Sequence, residues 1–250
     1  MKQIKIVFLI TLVFGLNACS RINSEQAAIE KNNVGIQHLN MGEFELAIDA
    51  FKEAAGLTST KIFKTNYLRN VAVAYIDLGE IDSSRHYSLM AANLHPESSM
   101  EYKVNMAEVY ILDGNIEEAI AILEKAVDSG EERLEVYNSL GLIYYGEYGE
   151  EYQDLDKAIV FNKKAFDINN DRITEDVLAL TYFEANQLEK AEYHYKKLMT
   201  SYPEFLDYKY YLGIVKYELG DTNEAKIILN RVVQEDSLYY YAVAHIIGEE

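Results

Sequence analysis

Three small residues, Ala107, Ala119 and Ala126, stand twelve and then seven positions apart, with the breaker pair Asp113-Gly114 between the first two. On both sides of that pair apolar residues recur at three and four, the spacing of an amphipathic helix. Residues 107–126 therefore predict a helix, a tight turn and a second helix. Gly114 gives the turn its backbone freedom, and Ala107 and Ala119 remove the bulk that would hold the two helices apart.

The same spacing returns along the chain. Gly35, Ala47 and Ala54 repeat it, with Gly42 in the turn and Phe51 filling the second helix; Ala72, Ser84 and Ala91 repeat it with Tyr75 and Gly79. A fifth copy carries Ala179, Tyr182, Ala191 and Tyr195, and puts Asn186 where the others have glycine. Asparagine is the next most tolerant residue of a left-handed backbone. A sixth carries Gly213, Gly220, Ala225 and Leu229, with Val232 in place of the last alanine. The fourth opens with Tyr137, Gly141 and Tyr144 and closes with Ala158 and Ala165, but five extra residues lengthen its turn, residues 146–154, GEYGEEYQD. Pro96 and Pro203, both prolines of the chain, fall where a second helix ends.

A period of about 34 residues with this order of small, aromatic and turn positions resembles the tetratricopeptide repeat. The resemblance implies an all-α fold, a right-handed superhelical solenoid of antiparallel helix pairs. Six repeats are placed at about residues 28–61, 65–98, 100–133, 134–171, 172–205 and 206–239, followed by a terminal partial repeat or capping helix at 240–250. The fourth, with its long turn, resembles a Sel1-like repeat. Its loop is either functional or a tolerated surface insertion, since long loops cost little entropy.

Met1 to Lys5 is a short basic start and Ile6 to Phe14 is wholly apolar, too short for the ~20 residues that span a bilayer. The segment reads as an export signal. Leu16-Asn17-Ala18-Cys19 resembles the lipobox of bacterial lipoproteins, with the single cysteine of the chain at the acceptor position. That implies a signal peptide at residues 1–18, cleavage after Ala18, and acyl chains such as palmitate anchoring Cys19 to the membrane. Ser20, where aspartate would favour inner-membrane retention, points to the outer membrane and a periplasm-facing position. Residues 19–27 are expected to be a lipidated tether, with Asn23 or Ser24 capping the first helix.

The formal net charge is −18, and it becomes more negative once the leader with Lys2 and Lys5 is removed. Such a balance argues against nucleic acid, which is bound through cationic neutralisation of phosphate, and against a basic patch on anionic lipid. Nothing assembles chemistry. His38, His86, His95, His194 and His245 are scattered without metal-ligand spacing. The adjacent pairs Glu117-Glu118, Glu131-Glu132 and Glu150-Glu151 diverge in direction on a helix. The expectation is a binding protein with no catalytic site, cofactor or metal.

The tetratricopeptide resemblance implies a concave surface lined by the first helix of each pair. By register its positions are Val73 and Ile76, then Ile111, then Leu142 and Tyr145, then Leu180 and Phe183, and last Tyr210, Ile214 and Tyr217. This ladder grows more aromatic toward the C-terminus. It either faces an apolar peptide or packs between neighbouring helices. Arg69 and Asn70 are the nearest counterparts of the clamp with which family members grip a C-terminal carboxylate, and no lysine ladder accompanies them. The apolar end, with Tyr240, Val243, Ile246 and Ile247, is a candidate contact for a partner or a second copy.

The expected partner is another envelope protein or a peptide segment of one, bound by a membrane-anchored scaffold. Two alternatives stand beside it. In size and layout the chain resembles the six-repeat lipoproteins that help pilus secretins reach the outer membrane and the repeat lipoproteins of β-barrel insertion. A self-associating structural protein, seamed through the C-terminal helix, is the other.

Overall fold

In a computed structural model of the chain, the described residues are 22–248, and all regular structure among them is helical. The leader, the lipobox and Cys19 lie outside the described residues. The helices are α1 (residues 22–40), α2 (Phe44–Leu57), α3 (Lys61–Asp77), α4 (Ile81–Ala92), α5 (Met100–Leu112) and α6 (Ile116–Asp128). They continue as α7 (Leu134–Tyr145), α8 (Leu155–Ile168), α9 (Arg172–Glu184), α10 (Leu188–Ser201), α11 (Leu206–Glu218), α12 (Thr222–Glu235) and α13 (Tyr240–Ile247). None of them is long and apolar enough to cross a membrane. Contacts divide the chain into two units at Ile122 and Leu123, within α6.

One turn recurs between first and second helices. After α3, the Gly79 N–H donates to Ile76 O at 2.8 Å and the Glu80 N–H to Tyr75 O at 2.8 Å, the paired bonds of a Schellman motif closed by a residue in the left-handed region. Gly79 has φ +81°. At the equivalent turn after α9 that residue is Asn186, with φ 55°, and the bonds to Phe183 O and Tyr182 O are kept at 2.9 and 2.8 Å. The sequence spacing thus reports a hydrogen-bonded motif and not merely a break in periodicity. After α7 the motif starts the same way, with Gly146 N–H to Ile143 O at 3.0 Å. The chain then inserts a 3-10 turn at Glu150–Tyr152, and the Asp154 N–H returns to Tyr144 O at 2.8 Å. Asp154 also caps α8, accepting from the Lys157 N–H at 3.0 Å.

The small positions do what close helix packing requires. A Cβ added to Gly213 on α11 would stand 2.5 Å from Leu229 Cδ2 on α12, so the two helices approach through the space a side chain would fill. Within the first unit the core runs through Ala47, Ile48, Phe51, Val71 and Ala74, and through Ala54, Ala55, Tyr67, Leu68 and Ala91. Within the second it runs through Leu178, Tyr195, Leu198, Tyr208 and Leu212. A separate cluster of Leu229, Val243 and Ile246 closes the C-terminal end.

Helix is already present at residue 22, within the span 19–27 expected to be a tether, and Asn23 and Ser24 lie inside α1 instead of capping it. Glu25 supplies a reason. Its carboxylate accepts from the hydroxyls of Thr58 at 2.5 Å and Thr60 at 3.0 Å and from the Ser59 N–H at 3.0 Å, gripping the connection between α2 and α3. These bonds, that from Thr58 foremost, hold its pKa down to about 2. A depressed carboxylate contributes stability above its usual titration near 4.5 and loses it as the pH falls through the folded value. Glu25→Gln is expected to speed hydrogen exchange over residues 22–30 at neutral pH while leaving α3 protected. Lowering the pH of the wild type toward 2 should reduce the protection of the same residues relative to their intrinsic exchange rate, and unchanged protection in both would remove the grip.

Candidate functional site

The register positions expected to face a groove fall into three groups. On α3, Val73 and Ile76 are 44% and 45% exposed, and on α5 Ile111 is half-buried. On α7 and α9, Leu142, Tyr145, Leu180 and Phe183 are half-buried. Burial pushes the Tyr145 hydroxyl up to about 12. On α11, Tyr210, Ile214 and Tyr217 pack on the cluster of Leu229, Val243 and Ile246, so they serve contacts between neighbouring helices and leave the open ladder. Phe183 also leans into the core, edge-on to Tyr211 with ring centroids 6.3 Å apart.

The C-terminal contact expected at Tyr240, Val243, Ile246 and Ile247 is corrected in the same way. Val243 and Ile246 are 0% and 3% exposed, and Ile247 packs beside them. They face inward because α13 takes the place of the first helix of a further repeat and lies on α12. Tyr240 is half-buried, and the exposed apolar side chains of this end are Leu238 and Tyr241. Arg69 is likewise committed, donating through Nε to Glu108 at 2.7 Å. Asn70 donates to Asn32 Oδ1 at 2.8 Å. Neither presents a free clamp.

What the second unit does offer is a cleft of about 440 Å³ between α9 and α11, with the start of α11 at its edge. Arg172, Asp176, Val177 and Leu180 form the α9 wall; Phe205, Asp207, Tyr208 and Tyr211 form the other. Of the register positions, Leu180 alone lines it. The Arg172 guanidinium sits 4.4 Å over the Phe205 ring and donates to the Tyr208 hydroxyl at 2.9 Å. That hydroxyl donates onward to Asp176 Oδ2 at 3.3 Å. Burial raises the pKa of Asp176, against the opposing pull of Tyr208 and Arg172, and pushes Tyr208 up to about 12. Asp207 accepts a short hydrogen bond from the Tyr239 hydroxyl.

Asp176 escaped the sequence reading although the register contains it. It stands 34 residues before Tyr210 and holds in repeat five the place Tyr210 holds in repeat six. Selecting apolar side chains passed over the carboxylate. Tyr211, one position beyond the chosen Tyr210, enters because its ring stacks on Tyr195 with centroids 5.3 Å apart.

Stacked antiparallel helix pairs joined by a shared left-handed turn, with a cleft between first helices, define a helical-repeat scaffold. Tetratricopeptide repeat models match residues 101–129 and residues 178–204 and 207–238. These segments of the chain are tetratricopeptide repeats, and the helical array is of the kind found in protein–protein interaction scaffolds, which are typically non-enzymatic. The BBSome complex member BBS4 of Bos taurus is 26% identical over 141 residues, 56% of this chain and 26% of that protein. This chain therefore spans about a quarter of that relative. Among solved structures, the APC/C hetero-tetramer Cut9-Hcn1 superposes with a TM-score of 0.62 at 15% identity, over 89% of this chain and 42% of that one. YrrB, described as a TPR protein with an unusual peptide-binding site, gives 0.53 at 18% identity, over 72% and 90%. At these identities the likeness is one of fold.

Proposed function

We propose that the protein is a lipid-anchored scaffold of the bacterial cell envelope that docks an extended or helical segment of another envelope protein on the first-helix face of its repeats. The observation that carries the reading is the cleft between α9 and α11, in which a half-buried apolar side chain, Leu180, and aromatic rings stand beside polar groups that can fix a ligand's orientation. Binding peptides and proteins is what the fold family does. The anchor rests on the lipobox-like residues ending in Cys19, and the outer-membrane, periplasm-facing position rests on Ser20.

Two measurements test it. A photo-crosslinking residue at position 180 should capture a partner from native envelope, whereas one at Val160, exposed on second helix α8, should not. Equal capture from both positions would move the docking surface off the first helices. Cys19→Ser should shift the protein from the membrane fraction to the soluble fraction, and continued membrane retention would sink the anchor.

A further inference from the structure

We propose that the cleft between α9 and α11 seats a cationic side chain, arginine in preference to lysine, carried by the docked segment. This rests on the groove reading above and gives its ligand a chemistry.

The cleft holds two carboxylates, Asp176 and Asp207, against one cation, Arg172. Arg172 is already engaged with Phe205 and Tyr208. Asp176 is left with one long hydrogen bond, 3.3 Å from the Tyr208 hydroxyl, and burial without a strong partner is what raises its pKa. A desolvated carboxylate in this condition gains most from a charge-assisted bond.

A second, independent observation points to the same place. The Tyr195 hydroxyl is wholly buried and has no hydrogen-bond partner among the described residues. Burial pushes the pKa of this hydroxyl up, and Asp176 and Tyr211, two of the cleft's own residues, push it in the same direction. A buried hydroxyl without a partner is destabilising, because it forfeits its hydrogen bond to water without a replacement. Tyr195 is tied to the cleft through its ring, which stacks on Tyr211 of the cleft wall with centroids 5.3 Å apart, so an unpaired hydroxyl lies behind the wall that carries the carboxylates.

The chemistry of the walls selects the cation. Tyr211 and Tyr208 present rings beside the carboxylates, and a planar guanidinium can stack on a ring while forking two N–H groups onto a carboxylate. Arg172 over Phe205 shows that this cleft accommodates a guanidinium against an aromatic face. A compact ammonium satisfies the charge but not the stack. The chain's net charge of −18 draws cationic segments toward it at long range.

The test uses the full chain in detergent and a fluorescein-labelled heptapeptide with one arginine between leucines, alongside analogues carrying glutamine or glutamate at that position. Anisotropy titrations should show the arginine peptide binding about tenfold or more tightly than the glutamine peptide, the effect of one charge-assisted hydrogen bond, and the glutamate peptide weakest. Asp176→Asn should abolish the arginine preference while leaving the glutamine peptide's affinity in place; Asp207→Asn serves if the first variant melts early. Equal binding of arginine and glutamine peptides overturns the cation seat and leaves the groove reading standing. Failure of all three peptides, with position 180 still crosslinking, also overturns the cation seat alone; failure of both overturns the groove as well.

Discussion

Replacing Ile246 with aspartate is expected to undock α13 from α12. Ile246 packs with Val243 on Leu229, beneath Tyr210, Ile214 and Tyr217. Losing an aliphatic side chain from such a site costs about 2–5 kcal/mol, and an unpaired carboxylate there adds its desolvation. The cost is met locally, because an eight-residue terminal helix can leave without unfolding the repeats behind it. Hydrogen exchange should therefore lose protection over residues 240–247 and keep it over α9 and α10, while the α11 tyrosines become solvent-accessible. Ile247→Asp, at the half-buried neighbour, should do less. The outcome that would restore a seam between copies is specific: loss of a concentration-dependent dimer with exchange over α13 unchanged.

Lys216→Met is expected to be the most damaging single change on the polar side of the second unit. The Lys216 side chain is only 10% exposed, and its ammonium lies 2.8 Å from Glu192 on α10, 2.7 Å from Glu224 on α12 and 3.4 Å from Asp221. One cation thus ties three consecutive helices. Removing one member of a fully buried pair costs about 3–5 kcal/mol; with Glu224 and Asp221 half-exposed, about 2 kcal/mol is expected at neutral pH. The hydrogen bonds to Glu192 and Glu224 raise the pKa of Lys216 above its usual 10.5, so its contribution is present below that value and persists as the pH rises until the folded pKa is passed. Lys196 and then Lys216 lower that of Glu192 below 4.5, so its contribution is present above 4.5 and is lost as the pH falls through the folded pKa. Urea midpoints of wild type and variant should differ across the neutral range and converge in acid. A constant difference down to acid pH would mean that Lys216 acts through packing of its stem and not through its charge.

How far the sequence carries can be judged at particular residues. Gly79 and Gly114 marked turns correctly because a left-handed residue after a helix is a local requirement, satisfied by hydrogen bonds within six residues. Gly213 marked a close approach because only an absent side chain leaves room for Leu229. Asn23 and Ser24 lie within α1 and not at its cap, and Glu25 beside them is held by residues more than thirty positions away, which no capping pattern contains. For Tyr210, Ile214 and Tyr217 the sequence leaves groove and helix packing both open, because the period that places a residue on the first-helix face does not say whether a neighbouring helix covers it. Asp176 lay in the correct register and was passed over for its charge.

Helix pairing and the turn chemistry were therefore determined by the sequence itself, since each depends on spacing within one repeat. The tertiary structure decided which apolar positions are lining and which are core, that α13 closes the C-terminal cluster, and that Asp176, Tyr208 and Tyr211 meet at one cleft. Exposure and charge environment are set by the neighbouring helix, and a repeat pattern, identical from unit to unit, carries no record of what its neighbour places against it.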